Sequence, residues 1–248
     1  MITIKTEEEI NIMREGGRIL AGVLEKISRL AKPGVATMEL DRAAEALILK
    51  HGAKPSFKGY HGFPHSACIS VNDEVVHCFP SGRILKEGDV VCLDLGVFYK
   101  GYHTDMAKTV IAGKGTWRAR RLVSVTERSL DVGIKKVKIG NTLGDIGHAV
   151  QKYVESRGFS VVRDLCGHGI GKEIHEEPHI PNFGEKHSGE KLSEGMVICI
   201  EPMVTAGDWH LKKAGDGYGF ATKDGSLSAH FEHTIAVTKH GPKVLTEL

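Results

Sequence analysis

Five side chains that bind metal ions well lie in or next to apolar segments of this chain. Two aspartates stand in a predicted hairpin, two glutamates flank apolar runs, and one histidine has glycines on both sides; these residues are Asp94, Asp105, His168, Glu201 and Glu232. Carboxylates are rarely tolerated in buried strands unless they are paired or bound to a metal. Hard oxygen donors together with one imidazole suit Mn, Fe, Co or Zn, so the set predicts a site for two metal ions.

The two aspartates belong to one predicted β-hairpin. Apolar residues alternate over 91–97, which places Asp94 on the opposite face of its strand. A turn at Tyr99-Lys100 puts Asp94 directly opposite Asp105, with Cβ atoms about 4.5–5.5 Å apart. Carboxylates that close repel one another unless a proton or a cation lies between them. The alternative is a solvated hairpin that tolerates both charges.

Two other motifs resemble known signatures but lack features that those signatures need. In the glycine-rich stretch 167–172, Glu173 follows Lys172 where a phosphate-binding loop has Ser or Thr. The stretch 175–179 reads HEEPH and has the spacing of a zinc-binding HExxH helix. Pro178 removes a backbone donor and disfavours helical angles in the residue before it, so we do not expect that helix. Either histidine of this stretch remains a candidate functional residue by itself.

The periodicity of the apolar residues predicts the elements that hold these groups. It predicts a helix over 7–30, which Lys32-Pro33-Gly34 ends. Thr37 is expected to cap a second helix that runs to His51-Gly52. The strands predicted after this helix pair lie at 67–71, 90–98 and 102–111.

The same order of elements then occurs a second time. A helix is predicted over 117–137, and Thr142 is expected to cap another that ends at Arg157-Gly158. The strands predicted after this second pair lie at 160–164, 196–204 and 231–238. We therefore predict a single domain with an α+β fold of two pseudo-symmetric halves, about 1–113 and 114–248, each with two helices packed on antiparallel strands. Ligand sites are expected where the halves meet.

The composition excludes several classes of protein. The 248 residues include Lys+Arg 33 and Asp+Glu 31, a formal net charge of +2 that is too balanced for an electrostatic DNA binder. Basic clusters at 117–121 and 135–136 are interpreted as solvated helix faces, with contact to ribosomal RNA as the alternative. No apolar run approaches the ~20 residues that span a bilayer, and the N-terminus lacks the pattern of a signal peptide. Five cysteines without paired spacing predict free thiols, so we expect a cytoplasmic protein.

Taken together, the motifs resemble those of the pita-bread metallopeptidases, and specifically those of the type I methionine aminopeptidases of bacteria. The likeness runs nearly from end to end and rests on the acidic set above and on GYHGFP at 59–64, NDEVVH at 72–77, GHGIG at 167–171 and HEEPHIPNFG at 175–184. The zinc-binding extension of some relatives, the insertion of type II enzymes and the extra N-terminal domain of prolidases are not expected here.

This resemblance implies a dinuclear centre that uses Co, Mn, Fe or Zn. Asp105 and Glu232 would bridge the two ions, His168 and Glu201 would complete one of them, and Asp94 the other. The implied activity is removal of the initiator methionine from nascent proteins with a small second residue, by attack of a hydroxide held between the ions. Glu201 would also accept the proton of this hydroxide.

The resemblance assigns further roles around the metals. His175 would stabilise the tetrahedral intermediate, and His77 would contact the scissile nitrogen and assist the leaving amine. The remaining residues of the implied methionine pocket are Tyr60, His61, Phe63, Cys68 and Tyr218. Tyr218 stands where relatives usually have Trp, and Cys78-Phe79 stands where Gly-Ile is common. A monovalent cation is implied at Asn72, Glu74 and Ser228.

The implied partners are the N-termini of nascent polypeptides, with a transient contact to the ribosome; we expect a monomer, with no membrane and no specific DNA partner.

Two other functions fit the same fold. An exopeptidase for X-Pro bonds is one, and the missing N-terminal domain argues against it. A catalytically inactive binding protein is the other, although such proteins have lost metal ligands and all five positions are filled here.

Overall fold

Fifteen β-strands and four α-helices make up the computed structural model, which describes residues 1–248. The helices are α1 (Glu7–Leu30), α2 (Thr37–Lys50), α3 (Trp117–Ile134) and α4 (Leu143–Glu155). The strands are β1 (Lys54–Pro55), β2 (Ala67–Val71), β3 (Glu74–Val76), β4 (Val90–Tyr99), β5 (Tyr102–Ile111), β6 (Ser160–Val161), β7 (Cys166–Gly169), β8 (Glu176–Pro181), β9 (Val197–Ile200), β10 (Met203–Thr205), β11 (Leu211–Lys213), β12 (Phe220–Thr222), β13 (Ser228–His230), β14 (Glu232–Thr238) and β15 (Gly241–Val244). A helix pair followed by strands thus occurs twice, as predicted.

Side-chain hydrogen bonds to free backbone amides fix where the helices begin. Thr142 caps α4, as predicted, and Asp145 accepts a hydrogen bond from the amide of Thr142 in return. The predicted cap of α2 is wrong, because Ala36 is the N-cap residue and Thr37 is the first residue of the helix. The hydroxyl of Thr37 is used elsewhere: it donates to the carbonyl of Ser81 and accepts from the amide of Ser81.

Three predicted elements are longer than the observed ones. Helix α3 ends at Ile134 rather than at 137, and the predicted strand 160–164 is reduced to β6. The predicted strand 196–204 is divided by Glu201-Pro202 into β9, which pairs with β14, and β10, which pairs with β13 and β6. Proline has no N–H for a ladder hydrogen bond, so the strand is interrupted there. Glu201 therefore stands where the chain passes from one sheet to another.

A nine-stranded sheet forms the centre of the fold. Its order is β1-β4-β5-β14-β9-β7-β8, with β2 also paired to β4 and β15 to β14. Two smaller sheets have the orders β13-β10-β6 and β11-β12-β3. Every strand pair is antiparallel, which agrees with the predicted α+β class.

The largest hydrophobic core lies between helices α1 and α2 and one face of β4. The alternating apolar residues of 91–97 contribute to this core and are completely buried. The residues between them point to the other face of β4, which is buried as well and carries Asp94. Helices α3 and α4 pack with β9, β14 and the small sheet β13-β10-β6 in further clusters. No helix is both long enough and apolar enough to cross a membrane.

The predicted register of the β4–β5 hairpin is wrong by two residues. Asp94 is opposite Ala107, and Asp105 is opposite Gly96. The loop is Lys100-Gly101 rather than Tyr99-Lys100, and both of its residues have positive φ, 48° and 93°. Two such residues form the tight turn that suits the twist of a hairpin. The two aspartates are therefore diagonal neighbours, and their side chains still lie on the same face.

Candidate metal centre

Five neighbouring strands of the large sheet each bring one acidic or histidine side chain to a common cavity. In the order of the sheet these strands are β4, β5, β14, β9 and β7. Their side chains are Asp94 in β4, Asp105 in β5, Glu232 at the start of β14, Glu201 immediately after β9 and His168 in β7. All five line the same cavity, so the structure brings together the complete set of predicted ligands.

Possible donor atoms of these residues lie close together without being hydrogen-bonded to one another. Carboxylate oxygens of Asp94, Asp105 and Glu232 lie within 4.8 Å of one another. Nε2 of His168 lies 3.6 Å from Oε1 of Glu201. That separation is too long for a hydrogen bond, but it suits two atoms that each lie ~2.0–2.2 Å from one ion. Oδ1 of Asp94 and Oε1 of Glu232 are buried and have no hydrogen-bond partner.

Burial disfavours the ionised form of the carboxyl groups in this cluster. It raises the pKa of Asp94 to about 7. Burial, together with the neighbouring carboxylates, also raises the pKa values of Asp105, Glu201 and Glu232 well above their usual range. Four carboxylates cannot all be ionised in so small a buried volume unless positive charge is supplied. The donor set and its orphaned oxygens therefore fit divalent metal ions.

His168 is held in the form that binds metal. Its Nδ1 lies 2.9 Å from the carbonyl oxygen of Gly169, to which it donates a hydrogen bond. Burial lowers the pKa of His168 to about 3, so the ring is neutral and has one proton only. Nε2 therefore presents its lone pair towards Glu201, as metal-ligating histidines with an anchored second nitrogen do.

Asp105 is also fixed by its neighbours before any ion binds. Its amide donates to Oγ1 of Thr234 on β14, and that hydroxyl donates to the carbonyl of Asp105. The carboxylate oxygen Oδ1 of Asp105 accepts a hydrogen bond from the amide of Met106. These bonds join β5 to β14 beside Glu232, so the two residues predicted to bridge the ions lie on firmly connected strands.

The cluster forms the floor of a cavity of about 260 Å³. The seven residues predicted for substrate binding all line it; they are Tyr60, His61, Phe63, Cys68, His77, His175 and Tyr218. Phe57 lines it too and is not among the predicted residues. The cavity therefore has a charged floor and an aromatic side, which suits an apolar group held next to a metal centre.

Two histidines stand beside the metal ligands. The ring of His175 lies 4.4 Å from that of His168, centroid to centroid, and its Nδ1 is 2.9 Å from the hydroxyl of Tyr60. His77 follows β3 with φ of 62°, a conformation that residues other than glycine adopt at a cost and that clusters at functional sites. Partial burial lowers the pKa of His175, and burial lowers that of His77 to about 4, so both rings are neutral at pH 7.

The loop that carries Tyr218 is tied to the segment after His77. Oδ2 of Asp216 accepts a hydrogen bond from the amide of Phe79 at 2.7 Å, and Oδ1 accepts from the amides of Tyr218 and Gly219, both at 2.9 Å. The rings of Phe79 and Tyr218 are stacked with centroids 5.0 Å apart, and Phe63 lies 5.5 Å from Tyr218. Tyr218 is thus positioned by its ring contacts as well as by its backbone.

Comparison with known proteins decides the family. A sequence model of metallopeptidase family M24 matches residues 11–239 of the chain. This chain belongs to family M24. A methionine aminopeptidase of Clostridium perfringens is 50% identical over 246 residues, which are 99% of each chain. Methionine aminopeptidase 1 of Bacillus subtilis is 48% identical over 248 residues, which are 100% of each chain.

Solved structures of M24 proteins support the same conclusion. The crystal structure of methionine aminopeptidase from Thermotoga maritima matches with a TM-score of 0.98 and 43% identity, over 100% of both chains. The prolidase from Pyrococcus furiosus matches with a TM-score of 0.78 and 26% identity, over 99% of this chain but 65% of the prolidase. The M24 chain therefore has the pita-bread fold, as the sequence motifs predict.

The cysteines, the HEEPH stretch and the residues predicted to bind a monovalent cation lie outside the five proposed metal ligands of this M24 chain. Cys68, Cys78, Cys92 and Cys199 are buried free thiols, and Cys166 is half-buried. The HEEPH stretch begins in the loop before β8 and continues along that strand, so it is not a helical zinc motif, as expected. Asn72 accepts a hydrogen bond from the amide of Ser228 through its carbonyl, and Glu74 accepts from the amide of Val71. A monovalent cation at these residues stays a prediction.

Two residues of the M24 site are absent from the sequence prediction. Phe57 is three residues before Tyr60, and its place in an aromatic-rich loop is the signal that could have indicated it. His230 is buried at 1% exposure, with Nε2 3.9 Å from Oε2 of Glu232. Residues two apart in extended chain face the same side, so a histidine two residues before Glu232 was also readable from the sequence.

Proposed function

We propose that this chain is a metal-dependent methionine aminopeptidase that removes the N-terminal methionine from proteins with a small second residue. The observation that carries the proposal is an aromatic cavity that ends on a cluster of four carboxylates and one neutral histidine, of which only Glu201 is not fully buried. The names of the full-length relatives, 48% to 50% identical to this chain, support the same activity. Membership of family M24 implies the use of divalent metal.

The metal-binding residues are assigned as the sequence motifs imply. Asp105 and Glu232 are proposed to bridge two divalent ions, with His168 and Glu201 on one ion and Asp94 on the other. When bound, such a pair of ions polarises a substrate carbonyl and makes a nucleophile available from water at neutral pH. The identity of the ions is proposed only as Co, Mn, Fe or Zn, since the donor set suits each of them.

The side chains around the centre are proposed to handle the protons and the developing charge. Glu201 lines the cavity beside the proposed centre, where its carboxylate is suited to accept a proton from attacking water. Nδ1 of the neutral His175 ring is proposed to accept the hydrogen bond from the hydroxyl of Tyr60, which places the ring proton on Nε2. That proton can be donated to the oxygen on which negative charge develops. His77 is proposed to contact the scissile nitrogen and assist its departure.

The methionine side chain is proposed to occupy the aromatic part of the cavity. Phe57, Tyr60, Phe63 and Tyr218 surround this part, and aromatic rings make favourable contacts with thioether sulfur. A second groove begins on the other side of the metal cluster, and His77 and His175 line both spaces. The junction between these two rings is where the second residue of the substrate would pass, which supports a requirement for a small side chain.

Several further features are proposed from the sequence motifs alone. The natural substrates would be the N-termini of newly synthesised proteins, met in the cytoplasm by a monomeric enzyme that contacts the ribosome transiently. The chain would act as a single catalytic domain of two related halves, 1–113 and 114–248. A monovalent cation would lie near Asn72, Glu74 and Ser228.

Methionine release by metal-stripped protein tests the proposed activity. A Met-Gly-Met peptide is incubated with the stripped protein, and Mn, Co, Fe or Zn is added back separately, with an Ala-Pro dipeptide as the comparison substrate. We expect methionine to be released only when metal is present. Cleavage of Ala-Pro instead would show that the chain has prolidase activity. If folded protein cleaves neither substrate with any ion, the enzyme proposal is wrong and a binding role replaces it.

A further inference from the structure

A second buried histidine faces the metal cluster from the side opposite His168. The side chain of His230 is 1% exposed, and its Nε2 has no hydrogen-bond partner. This nitrogen lies 3.7 Å from Oε2 of Glu201 and 3.9 Å from Oε2 of Glu232. An unpartnered buried nitrogen is costly, and the great majority of such groups have a partner. The position of His230 beside two proposed ligands therefore requires an explanation.

The two carboxylate oxygens of Glu201 face different imidazole rings. Oε1 lies 3.6 Å from Nε2 of His168, and Oε2 lies 3.7 Å from Nε2 of His230. His168 already donates from Nδ1 to a backbone carbonyl, so its Nε2 is a lone pair that can share an ion with Oε1 of Glu201. Oε2 is then left on the other side, where the nearby imidazole nitrogen is that of His230.

The proton of His230 is expected on Nε2. Two carboxylate oxygens face Nε2, whereas Nδ1 lies 3.7 Å from Sγ of Cys92. The thiol of Cys92 offers Nδ1 a weak S–H donor. Nδ1 is therefore suited to accept, and Nε2 to donate.

The backbone of His230 is held by two neighbouring strands. The amide of His230 donates to Oγ1 of Thr109, and that hydroxyl donates to the carbonyl of His230 at 2.7 Å. His230 also pairs with Met203 across β13 and β10. The ring is thus placed from strand β5 on one side and β10 on the other.

We propose that His230 is a positioning residue: when a metal ion holds Oε1 of Glu201, Oε2 closes the 3.7 Å gap to Nε2 of His230, accepts a hydrogen bond from it and so keeps Oε1 towards the metal. This proposal rests on the proposed function for the assignment of Glu201 as a ligand. Groups that hydrogen-bond to metal-ligating carboxylates commonly change metal affinity about 10- to 100-fold when removed. His230 acts through Glu201 and is neither a ligand nor a group that touches substrate.

A matched pair of amide variants tests this role. His230→Gln places an amide nitrogen near the position of Nε2, whereas His230→Asn places one near Nδ1 and leaves Oε2 of Glu201 without a donor. Affinity for Co²⁺ is measured by calorimetry on metal-stripped protein without substrate, and the visible spectrum of the Co²⁺ form is recorded. We expect His230→Asn to weaken Co²⁺ binding about 10- to 100-fold and His230→Gln to restore it to within about threefold of the natural chain.

The other outcomes overturn the proposal in distinguishable ways. Equal Co²⁺ affinity in both variants and the natural chain means that His230 has no role at the centre. Loss in both variants, with a changed visible spectrum in His230→Gln, means that His230 is itself a ligand. His230→Leu, which has no donor, replaces the Asn variant if that one does not fold. The Co²⁺ affinity and the visible spectrum are measured without substrate. They therefore test the role of His230 even if the protein does not release methionine.

Discussion

The hydroxyl of Tyr60 lies 2.9 Å from Nδ1 of His175. This contact joins the side of the cavity proposed for methionine to the histidine proposed to stabilise the intermediate. Tyr60→Phe keeps the ring and removes only the hydrogen bond, so the proton of His175 is no longer confined to Nε2. We expect kcat to fall about 5- to 30-fold, which corresponds to roughly 1–2 kcal/mol, with KM changed less. Steady-state kinetics on a Met-Gly-Met peptide measure both values, and an unchanged kcat would exclude the role of this hydrogen bond.

Removal of the His175 imidazole separates turnover from metal binding. In His175→Ala we expect kcat to fall by about 10²–10³, the range seen when a donor to a developing oxyanion is lost. Metal content should stay at the natural level, because His175 is not among the five residues proposed to bind metal. His240→Ala is the control, since His240 is exposed and lines neither the cavity nor the second groove. Equal loss of metal and turnover in His175→Ala would contradict the assigned role.

Replacing one buried carboxylate should reduce metal binding and activity but should stabilise the metal-free protein. Asp94→Asn is expected to reduce the bound metal to less than two ions per chain and the activity by more than about 100-fold. The same change removes one charge from a buried like-charged cluster, so the metal-free variant should melt at a higher temperature than metal-free natural chain. Elemental analysis and thermal denaturation measure these effects.

The exposed Asp164 provides a matched control for this substitution. Asp164→Asn removes the same charge outside the cluster and should change neither metal content nor melting temperature. If metal-free Asp94→Asn melts lower than the metal-free natural chain, repulsion within the cluster is not the dominant effect.

The stacked pair Phe79 and Tyr218 should determine how tightly methionine is held. Phe79→Ala removes the ring that lies against Tyr218, and stacking of this kind contributes about 0.5–1.5 kcal/mol. We therefore expect KM for the Met-Gly-Met peptide to rise about 2- to 12-fold with little change in kcat. Phe79→Tyr keeps the stack and should behave like the natural chain. A fall in kcat at constant KM would instead place Phe79 in the chemical step.

The metal-free protein should lose stability as the pH rises above about 6.5. Burial lowers the pKa of His77 to about 4 and that of His168 to about 3. Between these values and the ordinary histidine pKa, the unfolded chain binds more protons than the folded chain, so the histidines make stability rise with pH. The carboxyl pKa values are raised, to about 7 for Asp94, so the folded chain binds more protons there and stability falls as the pH rises. Above the histidine range only the carboxyl contribution continues, at up to about 1.4 kcal/mol per pH unit for each carboxyl group that is still protonated in the folded chain. The contribution of Asp94 ends near pH 7.

Thermal denaturation in the presence of a chelator, from about pH 6.5 to about pH 8, measures this loss. A parallel series with Mn²⁺ should be nearly flat, because bound cations compensate the carboxylate charges. A melting temperature of the metal-free form that is constant or rises over this range would show that the cluster does not control stability.

The meeting of the five proposed ligands in one cavity could be predicted from the sequence because acids in apolar strands are rare, whereas their geometry was only partly predictable. The hairpin register depends on which two residues adopt positive φ, and Gly101 was the residue that indicated the true loop. Because the error was an even number of residues, it left Asp94 and Asp105 on the same face. The division of the 196–204 strand could be anticipated from Pro202. The packing of His230 against Glu201 could not, since β13 and β9 are in different sheets.

The proposed ligands are unevenly distributed along the chain. Asp94 and Asp105 precede the connection between β5 and α3, while His168, Glu201 and Glu232 follow it. Cutting the chain in that connection, at 112–116, leaves two ligands on one polypeptide and three on the other. Neither fragment then has a complete centre, and methionine release requires that the fragments find each other. This connection is therefore the place at which to divide the chain for a split reporter, in which enzymatic output would measure the proximity of two fused partners.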